Sequence, residues 1–191
     1  GLAAVNSDVD QIILVNGDLP LIRAESLQKL LDEHVAANAD LTLLSSVRPT
    51  NLAMDLGKVI RNDQGLVVSI EESTSRDGSN EAIPLEPRVE INVGAYCIKK
   101  SWLANSVQDL KMNTAGEYPV TELVSLATQS NAQVQAVPLR SDLEGIGVNT
   151  RLDLAVVEGA MQERLRTHWI LNGVGFEDPP SVSIDSEVQI E

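Results

Sequence analysis

The feature that most constrains the fold is a short apolar run, residues 11–16, which ends in Gly17-Asp18-Leu19-Pro20. Its apolar side chains are continuous rather than alternating, which is typical of a strand covered on both faces, as in a parallel sheet. An amphipathic helical pattern follows over residues 23–35, and residues 41–47 form a second apolar run. Strand, helix and strand joined by short links predict a βαβ unit with a right-handed connection.

The same patterns predict further elements along the chain. Residues 58–61 and 66–70 flank an Asn-Asp-Gln-Gly turn and predict a hairpin. The other expected elements are strands at 90–98 and 134–139, helices at 101–109, 118–128 and 151–172, and a surface loop at 72–86. Thr150 and Asp153 form a capping-box-like start for the last helix. The predicted fold class is α/β.

Composition restricts the classes of function. Twenty-eight acidic and 14 basic residues give a net charge of −14, which argues against a nucleic-acid partner because such a partner requires a basic face. No apolar run is long enough for a membrane span. The single cysteine, Cys97, excludes an internal disulfide and lies in an apolar run, so we expect a buried, inert thiol. A soluble protein in the reducing cytoplasm is therefore expected.

Asp18 follows the carboxyl end of a predicted buried strand, which is where open α/β sheets bind ligands. A carboxylate there suits Mg²⁺, which binds one or two protein carboxylates together with substrate phosphates. Gly17 permits a tight backbone beside it. On these residues alone, a turn or a helix cap is the better interpretation of Asp18.

Other positions offer weaker signals. Asn149 follows two glycines and offers a neutral oxygen to a metal, although it also fits a helix cap. Asn92 lies within a strand, where Asn is disfavoured, which favours a bond from its amide to a sugar hydroxyl. Glu71 ends a strand and fits equally a hydroxyl acceptor or a solvated side chain. His34 and His168 lie on polar helical segments without partners at metal spacing, so we expect both on the surface.

Taken in order, six motifs resemble one family. They are GDLPLI at 17–22, LGKVIR at 56–61, IEE at 70–72, EINVG at 90–94, GEY at 116–118 and GVNTR at 147–151. Over residues 12–190 this succession closely resembles the uridylyltransferase domain of the bifunctional N-acetylglucosamine-1-phosphate uridylyltransferase/glucosamine-1-phosphate acetyltransferase family.

The resemblance implies a Rossmann-like nucleotidyltransferase domain with a mixed, mainly parallel sheet, ending in a long helix and the start of a left-handed β-helix. The implied divisions are a nucleotidyltransferase (pyrophosphorylase) domain over 1–149, a linking helical arm over 150–177, and a hexapeptide-repeat β-helix beginning at 178–191. The implied reaction joins UTP to N-acetylglucosamine 1-phosphate, with release of pyrophosphate. A homotrimer is expected if the β-helix domain follows.

The resemblance also implies roles for individual residues. Asp18 and Asn149 match the catalytic pair that binds Mg²⁺. The substrate-binding positions are matched by Gly17, Gly57, Glu71 and Asn92. In the family a Gly-rich nucleotide-binding loop with its Arg and Lys precedes the position of Asp18, so we expect this chain alone to be inactive and the longer parent to be the enzyme.

Two departures from the family leave other functions open. A basic residue is usual soon after the strand-end glutamate, where this chain has Ser73 and Thr74, and Pro119 stands where a second aromatic is common. The first alternative is a nucleotidylyltransferase for another hexose 1-phosphate, such as glucose or mannose. The second is a catalytically inactive regulatory homologue, which the unusual loop at 72–80 keeps open.

Overall fold

The computed structural model describes residues 5–6, 8–49, 56–72, 88–113 and 116–190. The strands are β1 Gln11–Val15, β2 Leu41–Pro49, β3 Lys58–Arg61, β4 Val67–Glu71, β5 Arg88–Lys99 and β6 Val134–Pro138. The α-helices are α1 Ala24–Ala36, α2 Lys100–Ser106, α3 Glu122–Gln129 and α4 Arg151–Leu171. Short 3₁₀ turns form at Val107–Asp109, Asp142–Gly145 and Pro179–Ser181. Apart from Glu72, the surface loop expected at 72–86 lies outside the described residues.

The strands form one mixed sheet in the order β4-β3-β5-β2-β6, with β1 also paired to β5. The β2–β6 pair is parallel, whereas β5 is antiparallel to β1, β2 and β3, and β4 is antiparallel to β3. Strands β1, β2, β3 and β6 therefore share one direction, and β4 and β5 oppose it. The α/β class and the mixed sheet are confirmed. Four of the six described strands share a direction, but among the described strand pairs only β2–β6 is parallel.

A further strand lies between the two strands of the predicted βαβ unit. Strands β1 and β2 run in the same direction on either side of α1, but β5 lies between them and pairs with both. Ile98 faces Ile12 of β1 on one edge of β5 and Leu41 of β2 on the other. The apolar pattern of a strand records burial and not the identity of its neighbour, so the pattern did not predict this insertion.

Strands β1 and β3 occupy the same edge of β5 at its two ends. Val15 pairs with Ala95 at one end, and Lys58 pairs with Ile91 at the other. Three residues of β5, from Asn92 to Gly94, lie between these pairings. The end of β1 and the start of β3 therefore meet at this interval. On this edge, neither strand continues alongside β5 through these three residues.

Both faces of the sheet are covered, and alternate residues of β5 serve opposite faces. Tyr96 and Ile98 belong to the apolar cluster that includes buried residues of α2 and α3. Ala95 and Cys97 belong to the cluster that includes Leu30 of α1. The expectation of a buried thiol is confirmed, and burial raises the pKa of Cys97 to about 11.

His34 corrects an expectation of the sequence, because it is fully buried whereas His168 is exposed as expected. Its Nδ1 lies 2.8 Å from Thr42 Oγ1 of β2, and its Nε2 lies 2.9 Å from Gln11 Oε1 of β1. The face of α1 that packs on the sheet thus includes a polar residue whose two ring nitrogens are both paired. Burial lowers the pKa of His34.

The C-terminal segment differs from the expected β-structure. Residues 178–190 contain no assigned strand, and a 3₁₀ turn forms at Pro179–Ser181. The buried residue Ile184 instead pairs its backbone N–H and C=O with the side-chain amide of Gln162 on α4, at 2.8 and 2.9 Å. A strand needs a neighbouring strand for these groups, and the described residues offer none here. The expected start of a β-helix is therefore not seen as strand.

Within the described ranges, no helix has both the length and the apolar character needed to cross a membrane.

Candidate active site

A cavity of about 360 Å³ opens where β1 ends and β3 begins along β5. Four of the predicted site residues line it: Asp18, Gly57, Asn92 and Asn149. Gly17 and Glu71 are exposed and do not line it. The other lining residues are Asn16, Leu19, Leu56, Glu72, Val93, Gly94, Tyr96, Pro119, Val120, Thr121, Gly145 and Gly147.

Asp18 and Asn149 converge on the bare face of Gly147. A Cβ atom placed on Gly147 would lie 3.2 Å from Asp18 Oδ2 and 3.7 Å from Asn149 Nδ2. The two segments are joined by a backbone hydrogen bond from Val148 N–H to the Asp18 carbonyl, at 2.9 Å. The structure thus brings together the two residues that the family resemblance matched to a metal-binding pair.

One oxygen of this pair has no partner. Asp18 Oδ1 is buried and accepts no hydrogen bond from any described residue. A buried carboxylate oxygen without a donor or a cation is costly. An oxygen donor of this kind, beside an amide and an open space, fits Mg²⁺, which needs few protein ligands when substrate phosphates supply the rest. No cluster of three or more acidic, His or Cys residues suited to a metal occurs in the described part of the chain, so a metal held entirely by such side chains is not indicated there.

The backbone of Asn149 is held by the first turn of α4. Asp153 Oδ2 accepts from the backbone N–H of Asn149 at 3.1 Å and of Thr150 at 2.7 Å, and Thr150 Oγ1 accepts from Asp153 N–H at 3.2 Å. The predicted capping box is confirmed, with Thr150 as the N-cap. The bond from the Thr150 hydroxyl contributes most to lowering the pKa of Asp153. Because Thr150 is the cap, the side chain of Asn149 has no capping function.

Asn92 occupies the interval between β1 and β3, and its side chain is fixed in orientation. Its Oδ1 accepts from Gly94 N–H at 3.1 Å, and its Nδ2 donates to Tyr96 Oη at 2.7 Å. Its backbone N–H donates to the Gly57 carbonyl at 2.8 Å. Burial raises the pKa of Tyr96 to about 12, so its phenol keeps its proton at neutral pH. The amide of Asn92 retains one N–H and one lone pair for a ligand.

Gly94 allows the strand to change direction beside Asn92. Its φ is +86°, and a Cβ there would lie 2.5 Å from Asn16 Nδ2. Both the backbone conformation and the close approach of Asn16 require glycine at this position.

The hairpin of β3 and β4 presents Glu72, rather than Glu71, to the cavity. Glu71 pairs with Lys58 and is exposed. Glu72 lies on the opposite face, with its carboxylate oxygens 3.2 and 3.3 Å from the position of a Cβ on Gly57. The ladder contains an irregularity between Ile60 and Arg61. Successive residues of a strand face opposite sides, so the two adjacent glutamates point away from each other and only Glu72 lines this cavity.

Sequence reasoning missed four polar side chains of the cavity: Asn16, Glu72, Tyr96 and Thr121. The two-residue period of a strand could have identified Tyr96 from the sequence, because residues 92, 94 and 96 share one face of β5. Thr121 follows Pro119 and Val120 at the start of α3, and no pattern in the sequence distinguished it.

The charge of the cavity is negative. Asp18 and Glu72 line it, and its described lining includes no Lys or Arg. The two carboxylates would repel a phosphate group that enters the cavity. The cavity therefore suits a phosphate ligand only together with a cation.

The fold has a known counterpart. No protein-family model matches the chain. A solved structure of CMP:2-keto-3-deoxy-manno-octonic acid synthetase complexed with CTP superposes with a TM-score of 0.59, at 19% identity over 82% of this chain and 64% of that chain. The fold is therefore that of a nucleotidyltransferase domain, as the motif order implied.

Curated proteins include relatives with higher sequence identity than this solved structure. The chain is 34% identical over 181 residues to the bifunctional protein GlmU of Limosilactobacillus reuteri, covering 94% of this chain and 38% of that protein. It is 35% identical over 179 residues to GlmU of a Geobacillus strain, covering 93% and 38%, and 36% identical over 183 residues to GlmU of Caldanaerobacter subterraneus, covering 94% and 38%. Over this matched length the chain is a homologue of the bifunctional GlmU proteins. It spans about two fifths of their length.

Proposed function

We propose that this chain forms the metal- and sugar-phosphate-binding part of a sugar-nucleotide pyrophosphorylase. The proposed reaction joins UTP to N-acetylglucosamine 1-phosphate and releases pyrophosphate, with Mg²⁺ as the cofactor. The observation that carries the proposal is the convergence of Asp18 and Asn149 on the bare face of Gly147, where Asp18 Oδ1 has no partner among the described residues. The GlmU relatives support the same class of enzyme.

The metal pair would act on the phosphate side of the substrate. Asp18 would hold Mg²⁺ through its carboxylate, and Asn149 through its amide oxygen. When bound, the cation supplies charge neutralisation for the substrate phosphates during in-line attack on the α-phosphorus. The task of the chain's own residues is to place the sugar phosphate in line, and the capping box at Thr150 keeps the Asn149 backbone in place for this.

The opposite wall of the cavity suits the sugar. Glu72 would accept from hydroxyl and amide groups, and Asn92 would accept from them or donate to them. Gly57 lets Ile70 Cγ2 and the Glu72 carboxylate pack against its bare face, 2.8 and 3.2 Å from where a Cβ would lie, which holds Glu72 at this wall. A carboxylate attracts hydroxyl donors and repels phosphate, so Glu72 would direct the sugar to its own wall and the phosphate toward Asp18. Glu72 thereby replaces Glu71 as the proposed sugar-binding glutamate, and Gly17 is proposed only as a backbone neighbour of the metal site.

We further propose that turnover belongs to a longer parent protein and that the 191-residue chain alone is inactive. Support comes from the described cavity lining, which includes no Lys or Arg to bind a triphosphate. A cytoplasmic location fits the single buried thiol, and a homotrimer is proposed for a parent that contains the β-helix domain.

Calorimetric titration tests the substrate assignment. In the presence of Mg²⁺, we expect N-acetylglucosamine 1-phosphate to bind the chain more tightly than glucose 1-phosphate or mannose 1-phosphate. Equal affinity for the three would contradict the sugar assignment. An enzymatic assay for pyrophosphate with added UTP is expected to stay at background, and release of pyrophosphate by this chain would contradict its proposed inactivity.

A further inference from the structure

Glu144 connects two segments that are distant in sequence. It is only 3% exposed, and its Oε2 accepts from the Arg23 backbone N–H at 3.2 Å and from Ser26 Oγ at 2.6 Å. Arg23 is the N-cap of α1 and its own side chain makes no capping hydrogen bond. Glu144 therefore caps α1 from a distance, where a negative charge interacts favourably with the helix dipole.

The contacts of Glu144 complete a clamp at both ends of the metal pair. Segments 18–23 and 144–149 are joined near one end by the bond from Val148 N–H to the Asp18 carbonyl, at 2.9 Å. They are joined at the other end by the bond from Arg23 N–H to Glu144 Oε2, at 3.2 Å. The segment that contains Asp18 therefore cannot shift along the segment that contains Asn149 without breaking one of these bonds.

The turn that contains Glu144 is itself fixed to the sheet. Asp142, at the start of the same turn, accepts from Ser46 Oγ of β2 through Oδ1 at 2.5 Å. The backbone carbonyl of Asp142 accepts from Arg48 Nη2 at 2.6 Å. One acidic residue of the turn thus attaches it to β2, and the other attaches it to α1.

We infer that Glu144 is a positioning residue that sets the separation between Asp18 and Asn149. Glu144 does not line the cavity, so it acts through the backbone of the two segments and not on a ligand. The inference rests on the proposed function in that it assigns the metal to this pair. Removing the carboxylate would leave the Ser26 hydroxyl and the Arg23 N–H without their acceptor, which would release one end of the clamp.

Paramagnetic line broadening by Mn²⁺ in the ¹⁵N-labelled chain tests the inference. In the wild type, we expect the amide signals of Leu19 and Asn149 to broaden over the same range of Mn²⁺ concentration. In Glu144→Ala, the concentration needed should rise roughly tenfold, the lower end of what outer-shell changes cost in metal affinity, and Asn149 should broaden later than Leu19. Glu144→Gln keeps an acceptor oxygen for Arg23 and Ser26, so it should behave nearly as the wild type.

A readout without metal separates positioning from general stability. We expect hydrogen exchange at Val148 N–H to accelerate roughly tenfold in Glu144→Ala, as one end of the clamp opens. The matched control is Leu103→Ala on α2, which lowers stability through a core cluster that includes no residue of the turn. Equal acceleration at Val148 in both variants would overturn the positioning role, as would unchanged exchange and Mn²⁺ response in Glu144→Ala. If Mn²⁺ broadens neither signal in the wild type, the metal proposal fails, while the exchange comparison still decides the role of Glu144.

Discussion

The backbone N–H of Val148 donates to the backbone carbonyl of Asp18 at 2.9 Å. This one bond joins the loop after β1 to the loop before α4, and it brings the Asp18 carboxylate and the Asn149 amide to the same glycine. Neither loop forms the site alone. The proposed metal-binding pair therefore depends on the relative position of two loops as much as on the identity of its two side chains.

Gly147→Ala should weaken metal binding with little loss of stability. The new methyl group would lie 3.2 Å from Asp18 Oδ2 and 3.7 Å from Asn149 Nδ2, in the space proposed for the cation. We expect roughly a tenfold loss of Mn²⁺ affinity, measured by calorimetry. Gly175→Ala is the control, because nothing lies within 4 Å of its Cβ position. Unchanged affinity in Gly147→Ala would place the cation elsewhere.

Two adjacent glutamates provide a matched pair of variants for testing the wall of the cavity that is proposed to bind the sugar. Both side chains are exposed, but Glu72 lines the cavity, whereas Glu71 lies on the other face of the hairpin. Glu72→Gln should lower the affinity for N-acetylglucosamine 1-phosphate roughly tenfold, since a hydrogen bond to a charged group contributes about 1.5–3 kcal/mol. Glu71→Gln should leave the affinity unchanged. The reverse order of the two effects in titration would restore Glu71 as the sugar-binding residue.

Gly94→Ala should destabilise the fold more than the same change at Gly65. Both glycines have positive φ, +86° and +78°, so both substitutions carry a backbone strain of about 1–2 kcal/mol. Only at Gly94 does the new Cβ also meet a neighbour, Asn16 Nδ2 at 2.5 Å. Urea unfolding should show the larger loss in Gly94→Ala. Equal losses would mean that the side chain of Asn16 moves aside freely.

Much of the fold could be predicted from local pattern. The alternation of apolar runs and amphipathic stretches located the strands and helices, because burial on one or both faces determines which positions are apolar. The capping box at Thr150 and Asp153 could also be predicted, because it depends on two residues that are only three positions apart. The pairing of β5 between β1 and β2 was not predictable, because it joins residues that are distant in sequence.

Only part of the candidate site could be predicted, because a local pattern does not record contacts between residues that are distant in sequence. Asp18 follows a predicted strand end, and Asn149 follows two glycines. The order of the motifs then matched both residues to one site in one family. Which of Glu71 and Glu72 lines the cavity depends on which face of the hairpin each occupies, and the motif does not record this. The burial of His34 depended on partners from two strands, Gln11 and Thr42. Tertiary contacts of this kind are not recorded in the spacing of a single helix.

His34 should make stability depend on pH near neutrality. Because burial lowers its pKa, the unfolded chain takes up a proton at higher pH than the folded chain does. The contribution is fully present above the unfolded pKa of about 6.5 and is lost as the pH falls below that value. One proton accounts for at most about 1.4 kcal/mol per pH unit.

Urea unfolding at pH 7.5 and pH 5.5 checks the His34 prediction. The wild type should lose stability between the two values, and His34→Gln should lose less, from a starting stability lower by about 2 kcal/mol for two altered buried hydrogen bonds. His168→Gln is the matched control on an exposed histidine. The lowered pKa values of Glu90 and Asp153 affect stability only below about pH 4.5. The same pH dependence in all three proteins would contradict the prediction.

The most direct test of the proposed metal-dependent site is the affinity for N-acetylglucosamine 1-phosphate with and without Mg²⁺, measured by calorimetry in the wild type and in Asp18→Asn. Asparagine keeps the shape of the side chain and removes its charge. The account predicts that Mg²⁺ raises the affinity of the wild type roughly tenfold or more, as expected when a cation offsets phosphate repulsion by the carboxylates, and has no effect in Asp18→Asn. Equal wild-type affinity with and without Mg²⁺, or an undiminished Mg²⁺ effect in Asp18→Asn, would contradict it.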